Sequence, residues 1–508
     1  MLGPGRLEER AMYLEVEEAA VALDLRGMTG LPETIAALEP ALGAALDAMR
    51  SLEAGAIANP DEGRRVGHYW LRAPELAPDA ESREAIVQAQ DAVRRFAAGL
   101  DARFRDVLHI GIGGSALGPQ LVTAALAGLD APRRIHYLDN TDPHGFHDTL
   151  AGLDLAGTLV VVVSKSGGTV ETRNGLQAAR AAFDAAGVPF ASHAVAVTGE
   201  GSALDREAVE GGWLARFPMW DWVGGRTSVT SAVGLLPMAL LGVDTEAFLA
   251  GAAAMDRAGR AGTPATNPAA LLAAAWHHAT GGLAHRAMVV LPYRDRLELL
   301  SRYLQQLVME SLGKARDLDG HLVHQGLTVY GNKGATDQHA YVQQLREGPD
   351  DCFVTFVDVL DPGPGDLEVE PGTTAADTLS GFLAGTRRAL GEAGRLNLTL
   401  TLDRLDPRTL GAVVALYERA TGIYAALVGV NAYHQPGVEA GKRAAAALVS
   451  LQGRLLDHLR GGAGGTAAEL AGVLGADPPD VFHILRHLAA TGRATATGRG
   501  LDRRFSAR

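Results

Sequence analysis

The amino-acid sequence predicts an α/β protein in which two doubly wound αβα sandwich domains follow one another. Two sets of short apolar strands carry this prediction, since each strand ends in Gly, Ser, Asp or Thr and helical patterns separate the strands. Strands that alternate with helices are typical of βαβ units and parallel sheets. Ligands bind such sheets at the carboxyl ends of the strands, where the helix N-termini also point.

The chain divides into four predicted parts. Residues 1–100 form an N-terminal helical segment, because stretches such as LPETIAALEPALGAALDAMRSLEAG carry apolar residues at helical spacing. The first αβα domain spans 101–245, with the strands RDVLHIGIGG, RRIHYLD, TLVVVVSK and ASHAVAVTG. The second spans 246–455, with the strands HRAMVVLPY, GLTVYGN, CFVTFVDVLD and RLNLTLTLD. A linker, HLRGGAGGT, leads to a C-terminal winged-helix-like module at 462–508.

The composition favours a cytosolic enzyme. The chain has 508 residues, of which 47% are hydrophobic, and its formal net charge of −13 argues against a protein that coats nucleic acid. The single cysteine, Cys352, excludes an intrachain disulfide and fits a reducing compartment. The N-terminus lacks a signal-peptide pattern, and no apolar run approaches the roughly 18 residues of a membrane span. We therefore expect a cytoplasmic protein without membrane or nucleic-acid partners.

The C-terminal module has two interpretations. Its pattern of helix, turn, helix and a Gly- and Arg-rich hairpin is that of a winged helix, which binds DNA in many proteins. Four acidic residues accompany its six arginines, and a net charge of about +2 is small for a face that neutralises phosphates. We therefore favour a packing or interface role over DNA binding.

The stretch LVVVVSKSGGTVET predicts an anion site where a buried strand ends and a helix begins. N–H groups at a helix N-terminus carry partial positive charge, and glycines allow close approach of the backbone. Ser164, Ser166 and Thr169 add hydroxyl donors that can surround the three oxygens of a phosphate monoester, and Lys165 adds charge. The alternative is ordinary N-capping, but one cap needs only one hydroxyl. We therefore favour the anion.

The stretch HIGIGGSALG forms a second glycine-rich loop, again with two interpretations. Gly111, Gly113 and Ala116 give a loose match to the dinucleotide-binding fingerprint, with Asp139 as its acidic residue. The match is weak because the pattern is common and Asp139 lies 28 residues after Gly111, which is a long spacing. A contact between Ser115 and a sugar or phosphate explains the loop at least as well.

Two further stretches carry charged side chains on or next to predicted helices. In VGGRTSVTSAVG, Arg226 can bind an oxyanion through two N–H groups, or it can lie on the surface over a turn. In YLQQLVMESLGKARD, Gln306 and Glu310 are four residues apart and share one helix face. A partly desolvated Glu310 can serve as a general base. On this stretch alone we prefer the alternative, a solvent-facing Glu310 paired with Lys314.

The remaining polar candidates are isolated in the sequence. His339 follows the glycine-rich stretch GNKGATD, whereas Gln435 and Lys442 lie in QPGVEAGK. Each of them alone is more often structural than catalytic. The sequence contains no H-E-x-x-H, C-x-x-C or P-loop pattern, so we predict no metal site.

Six stretches, taken together and in this order, resemble the glucose-6-phosphate isomerase (phosphoglucose isomerase) family. They are GIGGSALG, SKSGGTVET, VGGRTSVTSAVG, QQLVMESLGK, GATDQHAYVQQL and QPGVEAGK, spread over residues 105–445. ESLGK, DQHAY and GVEAGK combined with VGGR are highly specific, whereas GIGGS alone is not. The resemblance implies two sugar-isomerase-type αβα sandwiches, reversible conversion of glucose 6-phosphate to fructose 6-phosphate, and no metal or cofactor.

The resemblance also implies a role for each matching residue. Glu310 would be the base that moves a proton between C1 and C2 through a cis-enediol, and Arg226 the cation that stabilises the enediolate. His339 and Lys442 would open the pyranose ring. The family is typically a homodimer, with this histidine contributed by the other subunit. The residues implied to bind the hexose phosphate are Gly114, Ser115, Ser164, Lys165 (through its backbone), Ser166, Thr169, Gln306 and Gln435.

Departures from the family pattern leave alternatives open. Thr227 replaces a usual aromatic residue, Leu312 and Pro436 stand where many members have Asn and Trp, and the C-terminal module lies outside the usual pattern. One alternative is a bifunctional phosphoglucose/phosphomannose isomerase, although Gln306 favours glucose specificity. The others are a sugar-phosphate-sensing regulator that uses the C-terminal module, and a nicotinamide oxidoreductase, which leaves five motifs unexplained.

Overall fold

The structure of the protein is a computed structural model that describes residues 12–508, and its contacts divide the chain into two compact units. The first unit ends at His434, and the second runs from Gln435 to Arg508. The α-helices of the first unit are α1 Leu31–Glu53, α2 Ala80–Gly99, α3 Leu117–Leu126, α4 Pro143–Ala151, α5 Val170–Ala185, α6 Ala203–Glu210, α7 Ala232–Leu240, α8 Thr245–Arg260, α9 Pro268–Thr280, α10 Leu300–Leu304, α11 Val342–Glu347, α12 Ala375–Glu392 and α13 Pro407–Leu427.

The strands of the first unit form two large sheets and three small hairpins. They are β1 Tyr13–Val16, β2 Val21–Asp24, β3 Ile57–Asn59, β4 Arg64–Arg65, β5 Asp106–Ile110, β6 Arg134–Leu138, β7 Thr158–Ser164, β8 Ala194–Thr198, β9 Ala215–Pro218, β10 Ala287–Pro292, β11 Lys314–Arg316, β12 Leu322–Gln325, β13 Val329–Tyr330, β14 Cys352–Val359, β15 Glu368–Glu370, β16 Thr373–Thr374 and β17 Asn397–Leu402.

The first large sheet confirms the βαβ pattern that the sequence predicts. Its five strands lie in the order β6-β5-β7-β8-β9, and every pairing is parallel. All seven residues of β7 are buried, as expected for an apolar strand covered by helices on both faces. The strand order reverses between β5 and β7, and the crevice at such a switch point is the usual ligand site of an open parallel sheet.

The second large sheet contains six strands in the order β1-β2-β17-β14-β10-β13. The four strands from β17 to β13 are parallel, as predicted for the second domain. β1 and β2 extend this sheet in antiparallel fashion, with Leu23 opposite Leu400. The prediction of an N-terminal helical segment is therefore incomplete, because this short hairpin acquires its partners almost 380 residues later in the chain; the first eleven residues of that segment lie outside the described ones.

Five charged side chains are buried together between helices of the first unit. Arg72 pairs with Asp256 of α8 at 2.6 Å and with Glu418 of α13. Arg419 pairs with the same Asp256 at 3.1 Å and with Glu53 at the end of α1. Buried charges are tolerated when they are paired and hydrogen-bonded in this way. The cluster ties α1, α8 and α13 together.

The second unit has its own apolar core. Its elements are α14 Pro436–Arg460, β18 Gly465–Thr466, α15 Ala467–Leu474, α16 Pro478–Ala490, β19 Ala494–Thr497 and β20 Arg504–Ala507, and the three strands form an antiparallel sheet. Leu455, Leu485 and Phe505 are buried in this core. Thr466 begins α15 with a capping box to Glu469. The helices and strands follow the predicted order, and the winged-helix assignment stays a prediction.

Among the residues from 12 onward, none of the helices is long and apolar enough to cross a membrane.

Candidate active site

The predicted anion cradle lies in the loop between β7 and α5. The N–H of Gly167 donates to the Ser164 hydroxyl at 3.2 Å, and the N–H of Gly168 donates to the Ser166 hydroxyl at 3.2 Å. Thr169 occupies the N-cap position of α5, but its side chain makes no capping hydrogen bond. The hydroxyls therefore surround the loop rather than cap the helix, which supports the anion interpretation over ordinary N-capping.

Gly167 shows why this loop needs glycine. Its φ of +67° is in the left-handed region, and a Cβ there would lie 2.3 Å from the backbone nitrogen of Leu204. Any larger residue would push the loop away from α6 and open the cradle. A hydrogen bond from the neighbouring strand β8 also fixes the start of the loop, since the Thr198 hydroxyl donates to the carbonyl of Ser164 at 2.6 Å.

The side chain of Lys165 is directed to a neighbouring loop. Its ammonium donates to the carbonyls of Asp221 at 2.8 Å and Val223 at 3.1 Å. Burial lowers the pKa of Lys165 to about 8, and the nearby Arg64 lowers it further, whereas Asp221 opposes the shift. The ammonium thus holds the cradle against the stretch that leads into VGGR, which leaves the backbone of Lys165 as its contribution to the anion site.

The GIGGS loop packs tightly on the VGGR loop. A Cβ on Gly114 would lie 2.1 Å from the carbonyl oxygen of Gly225, so only glycine allows this contact. The Ser228 hydroxyl donates to the Gly114 carbonyl at 3.2 Å. Gln306 lies over the same loop, because its Nε2 is 3.1 Å from the position of a Cβ on Gly113. Ser115 follows in the same short 3-10 turn and is half-buried.

Asp139, the acidic residue of the dinucleotide interpretation, is already engaged. It accepts a hydrogen bond from Gln120 at 2.8 Å and pairs with Arg302 at 3.5 Å. A ribose-binding acid must present its carboxylate to the ligand. This arrangement gives the oxidoreductase alternative no support.

Arg226 and Glu310 form the charged centre of the site. Arg226 is buried, and its Nη1 lies 3.5 Å from Oε2 of Glu310. Its Nε donates to the Ser311 hydroxyl at 2.8 Å, and its Nη2 donates to the carbonyls of Ala432 and His434. Burial lowers the pKa of Arg226, and Glu310 opposes the shift. The interpretation of Arg226 as a surface residue over a turn is therefore wrong.

Gln306 and Glu310 lie on a π-helical turn. The helix α10 continues as a π-helix over Gln305–Glu310, where the sequence predicts a regular helix. Single π-turns occur often at functional sites. The Glu310 side chain is about one-fifth exposed, so its carboxylate is partly desolvated and still reachable. The favoured alternative, a carboxylate pairing with Lys314, is wrong, because Lys314 donates to the main-chain carbonyls of Glu310 and Ser311.

Among the described residues, no contact brings His339 to this centre. His339 is exposed at the end of a 3-10 turn, Asp337–His339, whose buried Asp337 accepts hydrogen bonds from Tyr341 and from the backbone of Asn332. Gln435 and Lys442 belong to the second unit, the latter exposed on α14.

The parallel α/β fold, the predicted anion cradle at its switch point and the pairing of a carboxylate with a buried guanidinium fit the class of phosphosugar isomerases. The comparison with protein families identifies the member of that class: the sequence model described as phosphoglucose isomerase matches residues 37–391 and 387–454. The chain belongs to the phosphoglucose isomerase family.

Individual relatives agree with this assignment. The chain is 57% identical over 490 residues to a glucose-6-phosphate isomerase of Geobacter sulfurreducens, covering 93% of this chain and 92% of that one. It is 56% identical over 494 residues to a glucose-6-phosphate isomerase of Synechococcus sp. (strain JA-3-3Ab), covering 94% and 93%. In each alignment, the residues of this chain that remain unaligned are fewer than the residues of the second unit. Both alignments therefore include part of that unit.

Solved structures show the same fold. A glucose-6-phosphate isomerase from Chlamydia trachomatis superimposes with a TM-score of 0.79 at 28% identity, covering 88% of this chain and 91% of that one. A hypothetical protein from Thermus thermophilus gives a TM-score of 0.74 at 31% identity, covering 84% and 99%. The two αβα sandwiches predicted from the sequence are therefore confirmed as a fold class.

Proposed function

We propose that the chain catalyses the reversible isomerisation of glucose 6-phosphate to fructose 6-phosphate. The observation that carries this proposal is the pairing of Glu310 with Arg226 at 3.5 Å, next to the loops that surround the anion cradle. An aldose–ketose isomerase needs one base that removes a proton from one carbon and returns it to the next. It also needs a fixed cation near the oxygen that becomes negative. The pair supplies both groups.

The proton transfer proceeds stepwise. Glu310 as carboxylate takes the proton from C2 of the open-chain aldose, and the electron pair moves to the carbonyl oxygen at C1 to give an enediolate. The Arg226 guanidinium stabilises that oxygen, and its contacts to Ser311, Ala432 and His434 hold it in place before the reaction begins. The proton of the C2 hydroxyl then moves to the C1 oxygen, which leaves the negative charge on the C2 oxygen. Glu310 returns its proton to C1 while the electron pair on the C2 oxygen forms the C2 carbonyl, so that the ketose is produced and the carboxylate is restored.

Substrate binding is assigned to the surrounding loops. Ser164, Ser166 and Thr169, with the backbone of Lys165 and the first N–H groups of α5, hold the phosphate. The sugar hydroxyls are assigned to Gly114, Ser115, Gln306 and Gln435. The cradle on one side and the Glu310–Arg226 pair on the other fix the chain of the substrate at both ends.

Ring opening needs a further acid and base, which we assign to His339 and Lys442. The exposed position of His339 supports its use by a partner subunit, because an exposed imidazole can enter the site of a second copy. A homodimer is therefore part of the proposal. So is a cytoplasmic location, which rests on the hexose phosphate substrate and on the buried, unpaired Cys352.

A coupled assay tests the function. Purified full-length protein is supplied with fructose 6-phosphate, chelator and no added cofactor, and the formation of glucose 6-phosphate is followed. We expect turnover, with much slower conversion of mannose 6-phosphate. Equal rates on both substrates would establish the bifunctional alternative. Folded protein that binds fructose 6-phosphate without turnover would establish the sensor alternative, and a double-stranded DNA shift by that protein would give the C-terminal module its role.

A further inference from the structure

Lysine is rare in this chain, and its positions are informative. Only four of the 46 basic side chains are lysines: Lys165, Lys314, Lys333 and Lys442. Lys165 holds the anion cradle, Lys333 pairs at the surface with Asp295 and Glu298, and Lys442 is assigned to ring opening. Lys314 is the one to which the proposed mechanism gives no task. In a chain that uses arginine almost everywhere else, a buried lysine without a task in the proposed mechanism calls for an explanation.

Lys314 is buried at the end of the π-turn that carries Glu310. The residue is 4% exposed, and its Nζ donates to the main-chain carbonyls of Glu310 at 2.8 Å and Ser311 at 2.7 Å. The last carbonyls of a helix have no partner within the helix, and the helix dipole makes this end negative. The ammonium therefore caps the turn, and it does so through the carbonyl of the residue that acts as base.

Arg226 contacts the same two residues. It contacts Glu310 and Ser311 through their side chains, with Nη1 at 3.5 Å from the Glu310 carboxylate and Nε at 2.8 Å from the Ser311 hydroxyl. Lys314 binds their main-chain carbonyls. Glu310 and Ser311 thus contact both a guanidinium and an ammonium, one through their side chains and the other through their backbone.

The surroundings of Lys314 show that its charge is costly to keep there. Burial lowers the pKa of Lys314 to about 7, Arg226 lowers it further, and Glu310 and Asp61 oppose the shift. His434 is a further titratable neighbour, and its pKa is lowered mainly by burial and also by the charge of Lys314. A cation placed beside another cation in a buried site destabilises the fold, and such costs are typical of functional sites.

We propose that Lys314 is a positioning residue that fixes the Glu310 carboxylate for proton transfer. The inference rests on the proposed role of Glu310 as the base. A π-turn is less regular than an α-helix, and the contact of the carboxylate with Arg226 is long for a hydrogen bond. The capped backbone must therefore define where the carboxylate lies. A misplacement of about 1 Å is enough to slow a reaction by about a hundredfold.

The decisive variant is Lys314→Met in the full-length protein, which keeps the length of the side chain and removes its donors. We expect kcat to fall at least tenfold while the KM for fructose 6-phosphate stays within twofold. The deuterium isotope effect on kcat with [2-²H]glucose 6-phosphate should rise, because proton abstraction becomes the slow step. Lys333→Met is the matched control, since Lys333 pairs at the surface, and it should retain the kinetics of the unmodified chain.

Lys314→Arg separates charge from geometry. It keeps a cation with N–H donors, and it should recover part of the kcat that Lys314→Met loses. If Lys314→Met does not fold, Lys314→Gln replaces it with the same expectations, because this shorter, uncharged side chain also removes the ammonium. The inference would be overturned if kcat fell only as much as the fraction of folded protein falls and the isotope effect on kcat did not change.

The two proposals fail in different ways. An unmodified protein without turnover would refute the proposed function before any variant is made. An active protein in which Glu310→Gln is inactive but Lys314→Met is fully active would leave the function intact and refute only the role of Lys314.

Discussion

Glu310 carries the proposed chemistry at the scale of single residues. We expect Glu310→Gln to lower kcat by about 10²–10⁴, because an amide of the same shape cannot take up the proton. Substrate affinity should be unchanged, since the phosphate cradle lies on other elements. Parallel measurements of kcat by coupled assay and of the Kd for fructose 6-phosphate by calorimetry check this. Glu298→Gln is the control, because Glu298 pairs with Lys333 at the surface. Full activity of Glu310→Gln would refute its role as base.

Lys314 also predicts a pH dependence of stability. Its pKa is about 7 in the folded chain against an ordinary value of 10.5. At a pH between these two pKa values, Lys314 is protonated in the unfolded chain and deprotonated in the folded chain. The contribution of Lys314 to the free energy of unfolding therefore rises with pH in this range. Lys165, with a pKa of about 8, acts in the same direction.

Urea unfolding of the full-length protein at a series of pH values above 7 measures this effect. The free energy of unfolding of Lys314→Met should rise less steeply with pH than that of the unmodified chain. The same slope in both proteins would mean that the Lys314 ammonium titrates near its ordinary value in the folded state.

The loop predicted to hold the phosphate is the element for which the sequence carries the most local information. Its strand, glycines and hydroxyls are contiguous, so Ser164 to Thr169 could be interpreted before any tertiary contact was known. The direction of the Lys165 side chain could not, because its partners Asp221 and Val223 come from a loop more than fifty residues away. The π-turn at Gln305–Glu310 was also missed, since the apolar Leu304, Leu307 and Val308 have the spacing of a regular α-helix.

Replacing two hydroxyls of this element tests the phosphate site directly. We expect Ser166→Ala combined with Thr169→Ala to raise the KM for fructose 6-phosphate at least tenfold, since hydrogen bonds to charged groups contribute about 1.5–3 kcal/mol each. The inhibition constant of inorganic phosphate should rise in parallel. Ser192→Ala is the control, because that hydroxyl donates to the carbonyl of Pro189. Unchanged constants in the double variant would place the phosphate elsewhere.

At the scale of the whole molecule, the sequence was informative wherever a signal was local. The parallel strands of both sheets follow from apolar runs and their polar ends. The β1–β2 hairpin and the buried cluster of Arg72, Asp256 and Glu418 do not, because their partners lie hundreds of residues away. The stretch around Arg226 left open whether this residue binds an oxyanion or lies on the surface, and Lys314 was paired with a solvent-facing Glu310, because the burial of both depends on tertiary contacts.

The second unit allows the most informative deletion. Gln435 and Lys442 precede residue 461, so removal of 461–508 keeps every residue assigned to the reaction. We expect the truncated chain to retain kcat within about twofold per folded molecule. Its α14 would lose the partners of three buried leucines, Leu451, Leu455 and Leu459, and an exposed apolar face of this kind promotes association.

A second truncated chain shows whether an effect of the deletion comes from the loss of residues 461–508 or from the apolar face that the deletion exposes on α14. Leu455→Ser and Leu459→Ser in the same truncation should restore a monodisperse protein with the same kcat, as measured by light scattering and coupled assay. Retained activity in both forms would assign 461–508 to packing against α14. A monodisperse, folded truncation without any turnover would instead mean that the module helps to build the active site, because every residue assigned to the chemistry would still be present.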